Sequence, residues 1–252
     1  MGNLRNLLTA FQNVEYITAQ NFDRRAFERL NCIWVVPGAT GAWRRAKVLA
    51  AGGYSSHTLT EDTDLTQSLL ARGGRIVCAD EARSVTEAPE TASALYKQRF
   101  RWNYGTLQCL WKHRGRLGKG AVGWIAIPNM LLFQFLLPLI APLGDFILLK
   151  SILSGEWPGI ALFYSTFLMM DLLVSAAAFH RDGQPLRGLW VVLIQRLCYR
   201  QIMYVVTFLT LMAAAKGGRH GWNKLMRLGS AAAGRPTQSS VLRPRLEAGR
   251  VT

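Results

Sequence analysis

Gln98, Arg101 and Trp102, within Gln98-Arg99-Phe100-Arg101-Trp102, recur at the i, i+3, i+4 spacing of one helical face. That face offers an amide, a permanent cation and a large flat ring. A guanidinium suits the oxygens of a pyrophosphate, and an indole lies flat on the apolar C–H face of a sugar. The same spacing also describes an amphipathic helix with Trp102 in its core. Upstream, Thr60-Glu61-Asp62 is followed by Asp64, three carboxylates at a helix start. Asp62 is the candidate base for an attacking hydroxyl, with Glu61 beside it. Acidic residues in a first turn also complement the helix dipole and do nothing more. Gly38 and Gly41 precede Arg44 and Arg45. Small residues there permit close backbone approach, and the arginines suit an anion or an acceptor sugar. A turn followed by a solvated basic helix has the same composition. Together the groups suggest an enzyme that handles an anionic sugar donor beside a membrane.

The elements that must hold these groups follow from periodicity. Leu4, Leu7, Leu8, Phe11, Val14 and Ile17 recur at helical spacing within a helix expected over 4–30. Ile33 to Val36 and Arg75 to Ala79 are expected as short strands. Gly38 to Ala42 should form a tight turn, and Arg44 to Ala51 one or two helical turns stopped by Gly52-Gly53. Thr60 is placed to cap a helix over 61–72 that ends at Gly73, and Thr91 to cap a long helix running to about Lys112. Strands alternating with helices imply an α/β layer. Two or three strands make a poor independent core, so residues 1–120 look like the second half of a domain.

The chain has 252 residues, half of them hydrophobic, and a net charge of +15. Its apolar residues concentrate in 121–215, leaving a basic, Gly/Ala/Ser-rich stretch at 216–252 that is expected to be disordered from about 229. The basic residues gather at the edges of the apolar blocks: Lys112, Arg114, Arg116 and Lys119 before the first, Lys216, Arg219, Lys224 and Arg227 after the last. This pattern fits a cytoplasmic membrane flank better than a nucleic-acid surface, and no nucleic-acid motif is present. Trp124 to Leu149, Gly159 to Phe179 and Leu186 to Ala215 are each long enough to span. Pro128, Pro138 and Pro142 should kink or split the first. Arg196 and Arg200 within the third are costly at a bilayer midplane. They place its first half in the interface or against a polar cavity. Two spans plus an interfacial segment keep the basic tail on the cytoplasmic side, as the positive-inside rule prefers. Cys32, Cys78, Cys109 and Cys198 form no CxxC pair, and the four histidines are scattered. Free thiols in a reducing compartment are expected, rather than a disulfide frame or a zinc site.

The order of these motifs resembles the processive, membrane-embedded family 2 glycosyltransferases, which make poly-N-acetylglucosamine, hyaluronan, chitin oligosaccharides and cellulose. That family carries a TED motif, matched by Thr60-Glu61-Asp62, and a Q-x-x-R-W motif, matched by Gln98 to Trp102. Residues 35–45, 58–66, 86–102 and the GWNKLMRLG stretch near the end are most similar to the bacterial poly-β-1,6-N-acetylglucosamine synthase branch. The resemblance covers about residues 1–229. It implies the second half of a GT-A-type nucleotide-diphospho-sugar transferase domain over 1–120, then transmembrane helices, in a bacterial inner membrane with the transferase portion cytoplasmic. It implies an inverting transfer from UDP-N-acetylglucosamine to a growing polysaccharide. Asp62 would be the general base, supported by Glu61. Gln98 and Arg101 would contact the diphosphate. Trp102 would stack on the acceptor at the mouth of a channel, with Gly38, Gly41, Arg44 and Arg45 helping to place it. The Mg2+ or Mn2+ of such enzymes sits on D-x-D carboxylates in the first half-domain. Residues 1–57 contain no D-x-D, and Asp23 is alone there. The expected partners are therefore the donor, the polymer, membrane lipid and the missing N-terminal half, on a longer chain or a separate one, without which the chain should be inactive. A synthase of another polymer and a non-catalytic membrane channel or scaffold are the alternatives.

Overall fold

The structure, a computed structural model, describes residues 1–217 apart from 80 and 83. The expected disorder beyond about 229, the basic residues Arg219, Lys224 and Arg227, and the GWNKLMRLG stretch lie outside the described residues.

The helix expected over 4–30 is one helical run in three pieces. α1 (Leu7–Glu15) passes through a π-helical stretch (Tyr16–Phe22) into α2 (Asp23–Arg29). Asn6 caps it by accepting from the Thr9 N–H at 2.9 Å, and the Thr9 hydroxyl reciprocates at the Asn6 backbone. α3 (Arg45–Ala50) is short and ends where Gly52 and Gly53 take φ of 89° and 77°, a left-handed conformation open to glycine. α4 (Glu61–Ala71) and α5 (Ala92–Lys112) follow. Thr91 caps α5 as expected, its side chain accepting from the Ala94 N–H at 3.2 Å. Thr60 occupies the N-cap position of α4, but its side chain makes no cap bond. Its hydroxyl lies 3.5 Å from Cys109 Sγ instead.

The expected α/β layer is the main correction. Among the described residues no strand forms. Residues 33–36 lie at the core, with Ile33 and Trp34 buried, yet their backbone groups bond to side chains of α4. The Gln67 amide donates to Trp34 O at 2.7 Å and Ile33 O at 3.3 Å, and the Val36 N–H donates to Thr66 Oγ1 at 3.1 Å. The second expected strand behaves alike. Asn31, at φ 49°, accepts from the Ile76 N–H at 3.1 Å and donates to Gly74 O at 3.0 Å. Buried backbone groups must be paired, and here side-chain amides and hydroxyls supply the pairing that a sheet neighbour otherwise would.

Among the described residues, three helical segments are long and apolar enough to cross a membrane: Val122–Leu153, Pro158–Arg181 and Leu186–Ala215. The first is one continuous helical run rather than two separate pieces. A π turn (Val122–Ala126) leads to α6 (Ile127–Asn129), a second π turn (Met130–Leu136) and α7 (Leu137–Leu153). Pro128 and Pro138 each fall at the start of an α segment after a π turn, where the lost N–H and the ring are tolerated. α8 (Trp157–Arg181) and α9 (Trp190–Ala215) follow.

Two apolar clusters organise the molecule. Cys32, Ile33, Trp34, Cys109 and Leu110 pack with Ala126, Ile127 and Phe135, and Leu211 near the end of α9 joins them. Phe11, Val14, Ile17 and Leu95 pack with Ala178, Phe179, Val191 and Val192, the last two near the start of α9. Arg196 and Arg200 are not stranded in an apolar setting. Both donate to Asp171 Oδ2 on α8, at 2.8 and 3.0 Å. Tyr164 and Gln201 both reach Asp145 on α7 at 2.8 Å.

Candidate active site

Asp62 stands in the first turn of α4, where its carboxylate meets the 38–42 turn. Oδ2 accepts from the Gly38 N–H at 3.0 Å, and Oδ1 from its neighbour's Thr63 N–H at 2.7 Å. The candidate base and the glycine turn, 24 residues apart, are thus brought together. Such bonds fix the carboxylate's orientation. Glu61 sits half-buried beside it. Gly41 has a packing reason to be glycine. A Cβ there would meet Val36 Cγ1 at 2.9 Å and Pro37 O at 3.3 Å. Arg44 and Arg45 are exposed at the start of α3. Among the described residues no hydrogen bond or ion pair joins them to the other candidates.

α4 is held on α5 by contacts that sequence reasoning missed. Gly105 is the closest. A Cβ on it would lie 2.6 Å from Thr60 Cγ2 and Oγ1 and 2.9 Å from Thr60 N. Nearby, the Leu59 N–H donates to Gln108 Oε1 at 2.8 Å. Asp64, fully buried, accepts from Lys112 Nζ at 2.6 Å and lies 2.8 Å from His113 Nε2. Burial alone would raise its pKa. The hydrogen bonds from His113 and Lys112, with their charges, hold it below the usual carboxylate range instead. Asp64 is therefore a clasp, although it belongs to the same acidic run as Asp62. Cys109, in the same contact, has its thiol pushed up to about 11 by burial, and it stays protonated and inert. A glycine in the interior of a long helix was the signal available in the sequence, because it costs about 1 kcal/mol relative to alanine and usually marks a close approach.

Gln98, Arg101 and Trp102 lie on α5, upstream of Gly105. Gln98 is buried, and its side-chain Oε1 has no hydrogen-bond partner among the described residues. Arg101 and Trp102 are half-buried. The Trp102 ring carries the Arg99 guanidinium 4.6 Å from its centroid and stacks on Tyr16 at 6.5 Å. Arg99 in turn forms a two-pronged ion pair with Glu15, whose carboxylate also takes the Tyr199 hydroxyl. Burial works against the charge of Arg99, and Glu15 more than offsets it, so its pKa is raised.

Among the described residues no three His, Cys, Asp or Glu side chains come together as metal ligands. Asp64 is committed to Lys112 and His113, and Asp62 to backbone N–H groups. The acidic residues described here do not fit a divalent ion.

An acidic helix start is thus fixed against the helix that bears Gln98, Arg101 and Trp102. The chain matches the model of glycosyl transferase family group 2 over residues 1–215 and belongs to that family. It is similar to probable glucomannan 4-beta-mannosyltransferase 4 of Oryza sativa subsp. japonica, 24% identical over 143 residues, which cover 56% of this chain and 26% of that protein. Probable glucomannan 4-beta-mannosyltransferases 11 and 7 of the same plant are 29% and 28% identical over 39% and 42% of this chain. The chain spans 26% or less of these relatives' lengths. No solved structure matches it. The family expectation holds, whereas the likeness to poly-N-acetylglucosamine synthases finds no counterpart among these relatives.

Proposed function

We propose that this chain carries the acceptor and leaving-group side of a membrane polysaccharide synthase, transferring a hexose from a nucleotide diphosphate by an inverting mechanism. The observation that carries this reading is the Asp62–Gly38 bond. It holds a carboxylate at the mouth of a small-residue turn, open enough for a sugar hydroxyl to approach. Asp62 takes the hydroxyl proton as the acceptor oxygen attacks the anomeric carbon, with Glu61 supporting it. Gln98 and Arg101 contact the departing diphosphate. Trp102 stacks on the acceptor sugar, and Gly38, Gly41, Arg44 and Arg45 border its path. The ligands for Mg2+ or Mn2+ come from a D-x-D-bearing half outside these residues, and the chain alone is inactive. The site faces the cytoplasm of a bacterial inner membrane.

The donor we propose is UDP-N-acetylglucosamine, on the motif stretches at 35–45, 58–66 and 86–102. A mannosyl donor is the second reading, favoured by the similarity to glucomannan mannosyltransferases. Membranes carrying the chain together with a D-x-D-bearing half separate the two. Radiolabel from UDP-N-acetylglucosamine should enter polymer, and label from a nucleotide-diphospho-mannose should not. The reverse pattern would replace the first reading by the second. Incorporation of neither, with both halves present, would favour a non-catalytic channel or scaffold.

A further inference from the structure

Arg99 lies between Gln98 and Arg101 of the family motif, and the structure gives it a different task. It is 6% exposed, and a charge so buried persists only with a dedicated partner. Glu15 of α1 supplies that partner through two bonds, and the Tyr199 hydroxyl of α9 lies 3.2 Å from Arg99 NH2. Three segments far apart in sequence thus converge on one guanidinium. Its flat face is left to the Trp102 indole, 4.6 Å away, with Tyr16 on the same ring. Trp102 is three residues on from Arg99, on the same helical face. A ring held this way has one orientation rather than several rotamers.

We propose that Arg99 is a positioning residue. Locked by Glu15 and Tyr199, it fixes the plane of Trp102 and so prepares the surface on which an acceptor saccharide stacks. The last clause rests on the acceptor role proposed above for Trp102; the fixing of the ring does not. A lysine at 99 keeps the charge but loses both the second prong to Glu15 and the flat face.

The test uses the full chain in lipid nanodiscs and two readouts. The first needs no ligand. The near-ultraviolet circular dichroism band of Trp102, taken as wild type minus Trp102→Phe, should be lost in Arg99→Lys and reduced in Tyr199→Phe. Leu95→Ala, a core truncation on the same helix, should lower the melting temperature and keep the band. The second is binding of a short β-linked N-acetylglucosamine oligomer. Arg99→Lys should weaken it about tenfold, and Arg99→Lys combined with Trp102→Phe should be no weaker than Trp102→Phe alone. A band that survives Arg99→Lys, or that Leu95→Ala also removes, would overturn the proposal. Additive losses in the double variant would do the same. If wild type binds no oligomer, the acceptor role of Trp102 fails, and the dichroism still decides whether Arg99 positions the ring.

Discussion

Two carboxylates two residues apart have opposite fates here. Asp62 points at a backbone N–H beside an exposed turn, whereas Asp64 is sealed between Lys112 and His113. The acidic run at 61–64 was legible in the sequence as a helix start and a possible base. It did not say which oxygen faces outward, because that depends on a 49-residue loop closure that brings His113 onto Asp64. Asp64→Asn should cost about 1–3 kcal/mol. The cost stays below that of a wholly buried pair because Lys112 is 39% exposed and can turn to water. The sign with pH follows from the lowered pKa. A carboxyl that holds its charge more firmly when folded stabilises the fold above its unfolded value, near 3.8, and loses that contribution as pH falls through the folded value. The gap in melting temperature between wild type and Asp64→Asn should therefore be full at pH 6 and close below pH 3.8. A gap unchanged at low pH would contradict the clasp.

Helix existence was legible throughout, because caps and periodicity act locally. Thr91, the Gly52-Gly53 stop and the apolar face of α1 all behave as their chemistry dictates. The strands at 33–36 and 75–79 were not, because a strand exists only by virtue of its neighbour. Their hydrophobicity correctly signals burial, but Gln67, Thr66 and Asn31 take the backbone bonds. The joint between α4 and α5 is the element-scale feature on which the site depends. Gly105→Ala would push a methyl into Thr60, whose backbone N is 2.9 Å from it, so rotating the threonine side chain cannot relieve the whole clash. Overpacking of this kind costs about 1–3 kcal/mol. Because Thr60 is the residue before Glu61 and Asp62, we expect glycosyl transfer to fall by more than tenfold in a synthase that carries both half-domains. Far-ultraviolet dichroism should show the helices retained. Full activity in Gly105→Ala would show that the α4–α5 spacing is not what sets the base.

At the scale of the whole molecule, α9 is the informative helix. It is long enough to cross a bilayer, yet Val191 and Val192 near its start pack with α1 and Leu95, and Leu211 near its end joins the cluster around Cys32 and Ile33. In between, Asn103 of α5 reaches Thr207 at 3.3 Å. The middle of α9 meets α7 as well, where Gln201 reaches Asp145 at 2.8 Å. Its Arg196 and Arg200 are satisfied by Asp171 rather than driven through lipid unpaired. From the basic flanks we predict two crossings, with one of the three apolar segments at the interface. A cysteine introduced at Gly217, in a background with Cys198 removed, should be labelled by a membrane-impermeant maleimide only after the membrane is opened, as should one at Gly120. Labelling of the Gly217 cysteine in intact cells would show three crossings instead. The arginines and the basic flanks were legible in the sequence; the packing of α9 on α1, α5 and α7 was not, because it depends on contacts distant along the chain.

The central claim is that Asp62 is the base of a glycosyl transfer, and it is tested by UDP release from UDP-N-acetylglucosamine in membranes holding this chain with a D-x-D-bearing half. UDP affinity is measured on the same preparations. The account predicts that Asp62→Asn lowers release by at least about a thousandfold and leaves UDP affinity within a factor of about two. Asn keeps the size of the side chain and an oxygen for one of the two backbone N–H partners, and loses the capacity to take a proton. Release by Asp62→Asn at the wild-type rate would contradict it.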